Sequence, residues 1–259
     1  MTTQKLLVIT SNQLPHKYFV NQLNSHFNLC VVFIEHFEYP DPLFNSNEER
    51  VMWNEFFLNR KKTEEYLLRS SNSISVKNNP KTLKIKKGHL NDDETMQSIH
   101  DFNPTKIIIF GTSLLETKYL EQYPNRILNL HVGLSQYYRG SSCNFWPIHD
   151  LRPHLLGATV HFVSKGIDDG NIVIQDTIDL EENDSEFVLM VKPIILGTKL
   201  MIEAIKNTNT NLAINGKLQN KGKLYLIKDF TPQSIFKVRS LVSSGKLKQK
   251  IALENNKLK

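Results

Sequence analysis

The chain is 259 residues long, with a net charge of +6 and a pI near 9.1, a length that suits one large domain or one domain with a small appendage. Apolar residues make up 40% of it, enough for a core, and its two cysteines, Cys30 and Cys143, form neither a disulfide framework nor a zinc-site pattern. No apolar run reaches membrane-spanning length and Met1–Lys5 does not open a signal peptide, so a cytoplasmic chain with no membrane partner is expected.

Leu6–Thr10 is a short apolar run that predicts a buried strand, and Phe19, Val20 and Leu23 give the stretch from His16 to His26 a helical face. A second strand is predicted over Leu29–Ile34, with Cys30 as core filler, and Pro40-Asp41-Pro42 marks a loop. From Ser46 to Arg69 the pattern is helical, opened by a capping-box pair, Ser46 and Glu49. A strand at Leu83–Lys86 and a helix from Asp92 to Phe102, stopped by Pro104, come next. Lys106–Gly111 is the strongest strand signal, followed by Ile127–His131, Gly157–Ser164 and Asn171–Asp179, and then by a helix over Glu186–Lys206. Strands alternating with helices predict an α/β fold, a doubly wound and mostly parallel sheet over residues 1–206. Residues 207–259 read as a separate segment: a β-hairpin within Leu212–Ile227 around Gly216 and Gly222, a helix from Pro232 to Val242, and a lysine-rich tail from Lys237 to Lys259. That tail has few interleaved aromatics, so it reads as solvated, and no nucleic-acid partner is expected.

Alternate residues of a strand share a face, so Asn129 and His131 point the same way at the end of an apolar strand. Such a pair is either a hydrogen-bonded strand end or part of a site, because ligands of open α/β sheets bind beyond the carboxyl ends of the strands. The loop from His131 to Gly140 carries Tyr137, Tyr138 and Arg139, residue types common in binding loops. Asp168-Asp169-Gly170 between two strands is a turn signal in its own right.

Taken together, Asn-x-His at 129–131, Tyr-Arg-Gly at 138–140, Gly-Ala-Thr-Val-His at 157–161 and Gly-Ile-Asp-x-Gly at 166–170 resemble the signature of folate-dependent formyltransferases. The resemblance is strong from Lys106 to Gln175, loose over Met1–Thr10 and absent over Phe37–Lys86; Gln136 stands where that family has a proline. It implies a formyltransferase-like Rossmann variant and an enzyme that takes its formyl group from 10-formyltetrahydrofolate without a metal. In that chemistry an amine attacks the formyl carbon, negative charge develops on the formyl oxygen, and fixed donors stabilise it. The resemblance makes Asn129 and His131 those donors and Asp168 the group that orients His131 and accepts the amine proton. Asp169 is then the variable neighbour and His161 a strand-face histidine. It likewise assigns folate to Phe110, Gly111, Ser113, Leu114 and Leu115 and to Val163, Gly166 and Ile167. Asn12, Tyr137, Tyr138, Arg139 and Gly140 form the expected acceptor-binding set, with Trp146 as a further stacking candidate.

Among acceptors, the absence of glycine from Thr10-Ser11-Asn12-Gln13-Leu14-Pro15 disfavours a ribonucleotide bound in a Gly-rich phosphate loop. The short stretch after Lys206 resembles that of sugar-nucleotide N-formyltransferases. A nucleotide-linked amino sugar carried on thymidine or guanosine diphosphate is therefore expected, for formamido-sugar and surface polysaccharide (lipopolysaccharide) synthesis. Hydroxyornithine or another small amine is the alternative acceptor, and a folate-binding module without catalysis the alternative function. The hairpin has too few residues to bury a face alone, so a homodimer is expected.

Overall fold

In the computed structural model, residues 5–69, 79–207 and 220–257 are described. They contain nine strands: β1 (Leu6–Ser11), β2 (Leu29–Glu35), β3 (Lys81–Ile85), β4 (Lys106–Phe110), β5 (Ile127–His131), β6 (Tyr138–Gly140), β7 (Gly157–Phe162), β8 (Ile172–Thr177) and β9 (Lys223–Tyr225). The α-helices are α1 (Leu14–His26), α2 (Asn47–Arg69), α3 (Asp93–Asp101), α4 (Thr117–Gln122), α5 (Trp146–His149), α6 (Glu186–Asn207), α7 (Pro232–Ser243) and α8 (Lys246–Lys257).

Seven strands form one sheet in the order β3-β2-β1-β4-β5-β7-β8. The first five are parallel, whereas β7 runs antiparallel to β5 and to β8. This is the mostly parallel, doubly wound sheet expected, with an antiparallel edge of a kind that such sheets commonly carry. Every residue of β1 is buried, as a strand covered by helices on both faces must be. Its alternation divides the core. Leu6 and Val8 join Phe19 and Leu23 of α1 and Met201 and Ile205 of α6, while Leu7 and Ile9 join Ile99 of α3 and Tyr119 of α4.

Strand order reverses between β1, whose chain continues outward to β2, and β4, which starts the other half. Carboxyl ends diverge at such a switch point and leave a crevice. The crevice here is a cleft of about 810 Å³, lined by residues that follow β1, β2 and β4, by the ends of β5 and β7, and by α2.

Several elements differ from expectation. At the start of α2 Ser46 Oγ accepts from Glu49 N as expected, but the Glu49 carboxylate takes Asn45 N instead of closing the box on Ser46. In the C-terminal segment Gly216 and its neighbours lie outside the described residues. The strand beyond them, β9, pairs in parallel with β6: Lys223 N donates to Tyr137 O at 3.0 Å and Ser141 N to Tyr225 O at 2.8 Å. The lysine-rich tail contains α8, whose Leu247 and Ile251 are buried with Ile235 and Val238 of α7 and with Trp53 and Phe56 of α2. Lysines at the other positions keep that helix polar in composition, and three-to-four spacing is enough to bury one face.

Candidate functional site

Asn129 and His131 share one face of β5, and the antiparallel return of the chain sets His161 of β7 directly opposite Asn129. The turn between β7 and β8 brings Asp168 over both. Asp168 has a positive φ of 45°, a left-handed backbone that aspartate tolerates better than most side chains. Gly170 closes this turn where a Cβ would run into the carbonyl oxygen of Phe162, so glycine is required by close backbone approach.

Four groups converge on the Asp168 carboxylate. Its Oδ2 lies 3.1 Å from His131 Nδ1 and accepts from Gly140 N at 2.9 Å. Its Oδ1 accepts from Asn129 Nδ2 at 3.0 Å and lies 3.4 Å from His161 Nε2. The other side of the His131 ring faces a carbonyl, with Nε2 2.9 Å from Tyr138 O. Both ring nitrogens of His131 thus face acceptors, the pattern of an imidazolium. Burial alone would lower the pKa of His131, but the Asp168 carboxylate, helped by Cys143, more than offsets it and holds the ring protonated well above 6.5. Burial likewise opposes ionisation of Asp168, and the charge of His131 and its hydrogen bond overcome it, keeping the carboxyl well below its usual range.

The Asn129 amide has both hydrogens engaged. Besides Asp168, Nδ2 lies 2.9 Å from His161 Nε2, and His161 Nδ1 lies 2.8 Å from Phe162 O. A donor facing Nε2 requires that nitrogen bare, so the Nδ1 hydrogen points to Phe162 O. The opposite amide orientation would set an oxygen against the carboxylate. Donation by Asn129 to an incoming oxygen therefore requires the bond to His161 or to Asp168 to yield. His161, read from sequence as a strand-face residue, is buried and orients the amide.

Phe110, Gly111, Ser113, Leu114, Leu115, Val163, Gly166 and Ile167 all line the cleft, as does Gly140. Their backbone and apolar groups suit a flat heterocycle with several donors and acceptors. Ser113 is the exception in kind: its N and Oγ both donate to the buried carboxylate of Glu35, each at 2.7 Å, which ties the ends of β2 and β4 together. At the other end Gly111, with φ of 64°, leaves room that a Cβ would take from the His16 ring. Burial, reinforced by the Arg60 charge, lowers the pKa of His16 to about 3.

The expected acceptor set is largely placed elsewhere. Asn12 bonds His36 Nδ1 at 2.9 Å and Phe37 N at 3.1 Å, so it shapes the turn after β2 instead of lining the cleft. Tyr138 is buried against Tyr225 and offers only its carbonyl to the site. Arg139 bonds the carbonyls of Gly222 and Ile167, fastening two loops. Tyr137 is half exposed beneath Arg152, and Trp146 is stacked on Tyr225 at 4.3 Å, packed in the core. Aromatic side chains at a loop satisfy the hydrophobic effect first, and residue type alone does not distinguish the two uses. Sequence reasoning missed the cleft wall of α2, where Phe57, Arg60 and Lys61 face the site beside Phe37 and Lys87; a helix of ordinary amphipathic pattern carried no signal for it.

Among the described residues no group of three or more His, Cys, Asp or Glu side chains is arranged to hold a metal ion, and no helix is long and apolar enough to cross a membrane.

Comparison with known proteins gives a consistent result. The sequence profile of the formyl transferase family matches residues 45–205, more than half of the chain. Methionyl-tRNA formyltransferase of Desulforamulus reducens is 31% identical over 114 residues, which is 44% of this chain and 36% of that protein. The chain therefore matches little more than a third of that relative's length. The phosphoribosylglycinamide formyltransferase of Anaplasma phagocytophilum has a similar structure, with a TM-score of 0.58 at 14% identity, covering 87% of this chain and 99% of that one. A sugar N-formyltransferase from a Shewanella species gives 0.55 at 17% identity, covering 87% and 78%. At such identities the likeness is one of fold.

Proposed function

The chain belongs to the formyl transferase family, and from that premise we propose that it moves a formyl group from 10-formyltetrahydrofolate to the amine of a nucleotide-linked amino sugar. The observation that carries the reaction class is the buried imidazolium–carboxylate pair of His131 and Asp168, held beside the Asn129 amide at the mouth of a cleft of about 810 Å³.

10-Formyltetrahydrofolate supplies an activated formyl carbon; the amine displaces the ring-attached nitrogen, giving a formamide and tetrahydrofolate. His131, paired with Asp168, brings a protonated ring to the oxygen on which negative charge develops and donates to it from Nε2 once its contact with Tyr138 O yields. Asn129 adds a neutral donor once one of its bonds yields. Asp168 first keeps His131 charged. Held so acidic, it is a weak base, but the attacking nitrogen becomes strongly acidic as its bond to carbon forms, so a weak base in reach directly or through one water is sufficient.

Support for the acceptor comes from the cations on the α2 wall and from the absence of glycine after β1. A second reading, the amine of an aminoacyl-tRNA, is favoured by the relative matched over 114 residues. Incubating the protein with 10-formyltetrahydrofolate and a panel of amino-sugar nucleotides, methionyl-tRNA, glycinamide ribonucleotide and hydroxyornithine decides between them. Turnover of a sugar nucleotide is expected. Turnover confined to another amine replaces the acceptor, and tetrahydrofolate binding without turnover of any amine replaces the enzyme with a folate-binding module.

A further inference from the structure

The helix α2 and the turn after β2 build one side of the cleft. Phe57 and Arg60 are one turn apart on α2, and Lys61 follows. Among the described residues the hydrogen bond of Arg60 runs from Nε to Glu64 Oε1 at 2.8 Å, and neither Lys61 nor Lys87 has a carboxylate partner. Lys87 Nζ stands 5.0 Å over the Phe37 ring, and Phe37 and Phe57 each pack against Tyr39. The wall thus combines surplus positive charge with aromatic surface.

The wall is set apart from the loops suited to a flat heterocycle. Leu115 and Val163 of those loops pack into the core on the face of the sheet that holds α3 and α4. Leu67 and Leu68 of α2 pack instead with Leu14, Tyr18, Val191 and Ile194, from the start of α1, α1 itself and α6, on the other face. Of the carboxylates lining the cleft, Glu64 is paired with Arg60 and Asp168 with His131, while Glu35 is bonded by the neutral donors of Ser113 and Gly88, so the surplus charge of the wall rests on Lys61 and Lys87.

Resting on the proposed nucleotide-linked acceptor, we infer that Phe37, Phe57, Arg60, Lys61 and Lys87 form the seat of its nucleoside diphosphate. A guanidinium fork and two ammonium groups match the charge and oxygens of a diphosphate, and a base has a π-face for an aromatic side chain. A glutamate tail on folate shares the negative charge but has no ring for Phe37 and Phe57. Binding the diphosphate there supplies affinity remote from the reacting amine and holds that amine near the formyl carbon.

The test uses the whole protein and does not depend on turnover. Thymidine, guanosine and uridine diphosphates, inorganic pyrophosphate, tetrahydrofolate and tetrahydrofolate pentaglutamate are each titrated calorimetrically. At least one nucleoside diphosphate is expected to bind more tightly than pyrophosphate, with an affinity that falls as salt is raised. Arg60→Ala is expected to weaken it at least tenfold and the Lys61→Ala/Lys87→Ala double variant about fivefold, while tetrahydrofolate affinity stays within twofold. The double variant alters exposed side chains, so its result stands if Arg60→Ala unsettles α2. Diphosphate binding indifferent to both variants overturns the location alone. Loss confined to the pentaglutamate gives the wall to the folate tail and also overturns it. If no diphosphate binds the unaltered protein while hydroxyornithine is formylated, the acceptor reading fails and this inference with it.

Discussion

Of the three histidines buried along the cleft, His131 and His16 differ in charge state. At the carboxyl end of β5, His131 lies against the Asp168 carboxylate and is held protonated. At the carboxyl end of β1, His16 lies against the Phe110 ring, 4.4 Å between centroids, and its Nδ1 meets Thr10 Oγ1 at 3.1 Å. The Thr10 hydroxyl donates to Phe110 O, so it accepts from His16, which is neutral down to a pH of about 3. Burial is common to both; the counter-ion is not. The difference teaches that a buried imidazole takes its charge from its partner, carboxylate or hydroxyl, and that a residue type near a site does not reveal its electrostatic role.

The largest expected effect comes from breaking the charged end. Asp168→Asn leaves His131 without its counter-ion and should lower kcat for formyl transfer by at least about a hundredfold with the fold intact by circular dichroism, as should Asn129→Ala and His131→Ala. Activity within tenfold of the unaltered protein in Asp168→Asn would show that the ion pair is dispensable. The same pair sets pH behaviour. The raised pKa of His131 contributes stability below 6.5 that is lost only as pH rises through its folded value, and the lowered pKa of Asp168 contributes stability above 3.8 that is lost as pH falls through its folded value. Formyl transfer should therefore show no loss of a required acid as pH is raised through 6.5.

The neutral end yields to sterics. Gly111→Ala places a methyl group against the His16 ring at a backbone φ of 64°, and should cost about 2 kcal/mol in urea unfolding. The same change in a His16→Ala background should cost measurably less; equal costs in both backgrounds would mean that backbone strain, and not the ring, decides.

His16 also sharpens the contrast through acid. Its proton is bound more weakly in the folded chain, so its contribution is complete above 6.5 and is lost as pH falls toward 3. Stability should decline with a slope of up to about 1.4 kcal/mol per pH unit in that window, and His16→Gln should remove that part of the slope. An unchanged profile in the variant would place the acid sensitivity elsewhere.

Asp169→Ala is expected to be the mildest. Its carboxylate accepts from Ser164 Oγ and lies 2.9 Å from Lys221 Nζ, outside the contacts of His131. It steadies the loop that carries Asp168, so a loss of about tenfold or less in kcat/KM is expected. Inactivity with an active Asp168→Ala would exchange the roles of the two carboxylates.

Much of this was legible in the chain. The strands from Leu6, Leu29, Lys106 and Ile127 appear within a residue of their predicted ends, because short apolar runs bounded by polar residues have few other solutions in a helix-covered sheet. Local pattern also placed Asn129 and His131 on one face and Asp168 in a turn. The short strand β6 went unread, and β9 was expected only as part of the hairpin within Leu212–Ile227, because three residues carry no periodicity and the pairing of the two joins positions far apart in the chain. The tail was misread for a different reason: lysine count was taken for solvation, while α8 buries Leu247 and Ile251 along one stripe.

The sequence by itself determined the alternation of strands and helices, the family, and the three polar residues that stand out at strand ends and turn, because each rests on spacing within a few residues. Only the tertiary structure decided that β7 runs antiparallel and sets His161 against Asn129, that Tyr138 serves through its carbonyl, that Asn12 and Arg139 fasten loops, and that α2 lends Arg60 and Lys61 to the cleft. Those outcomes depend on which distant groups meet, and the energy of a buried polar group is set by its partner rather than by its own identity.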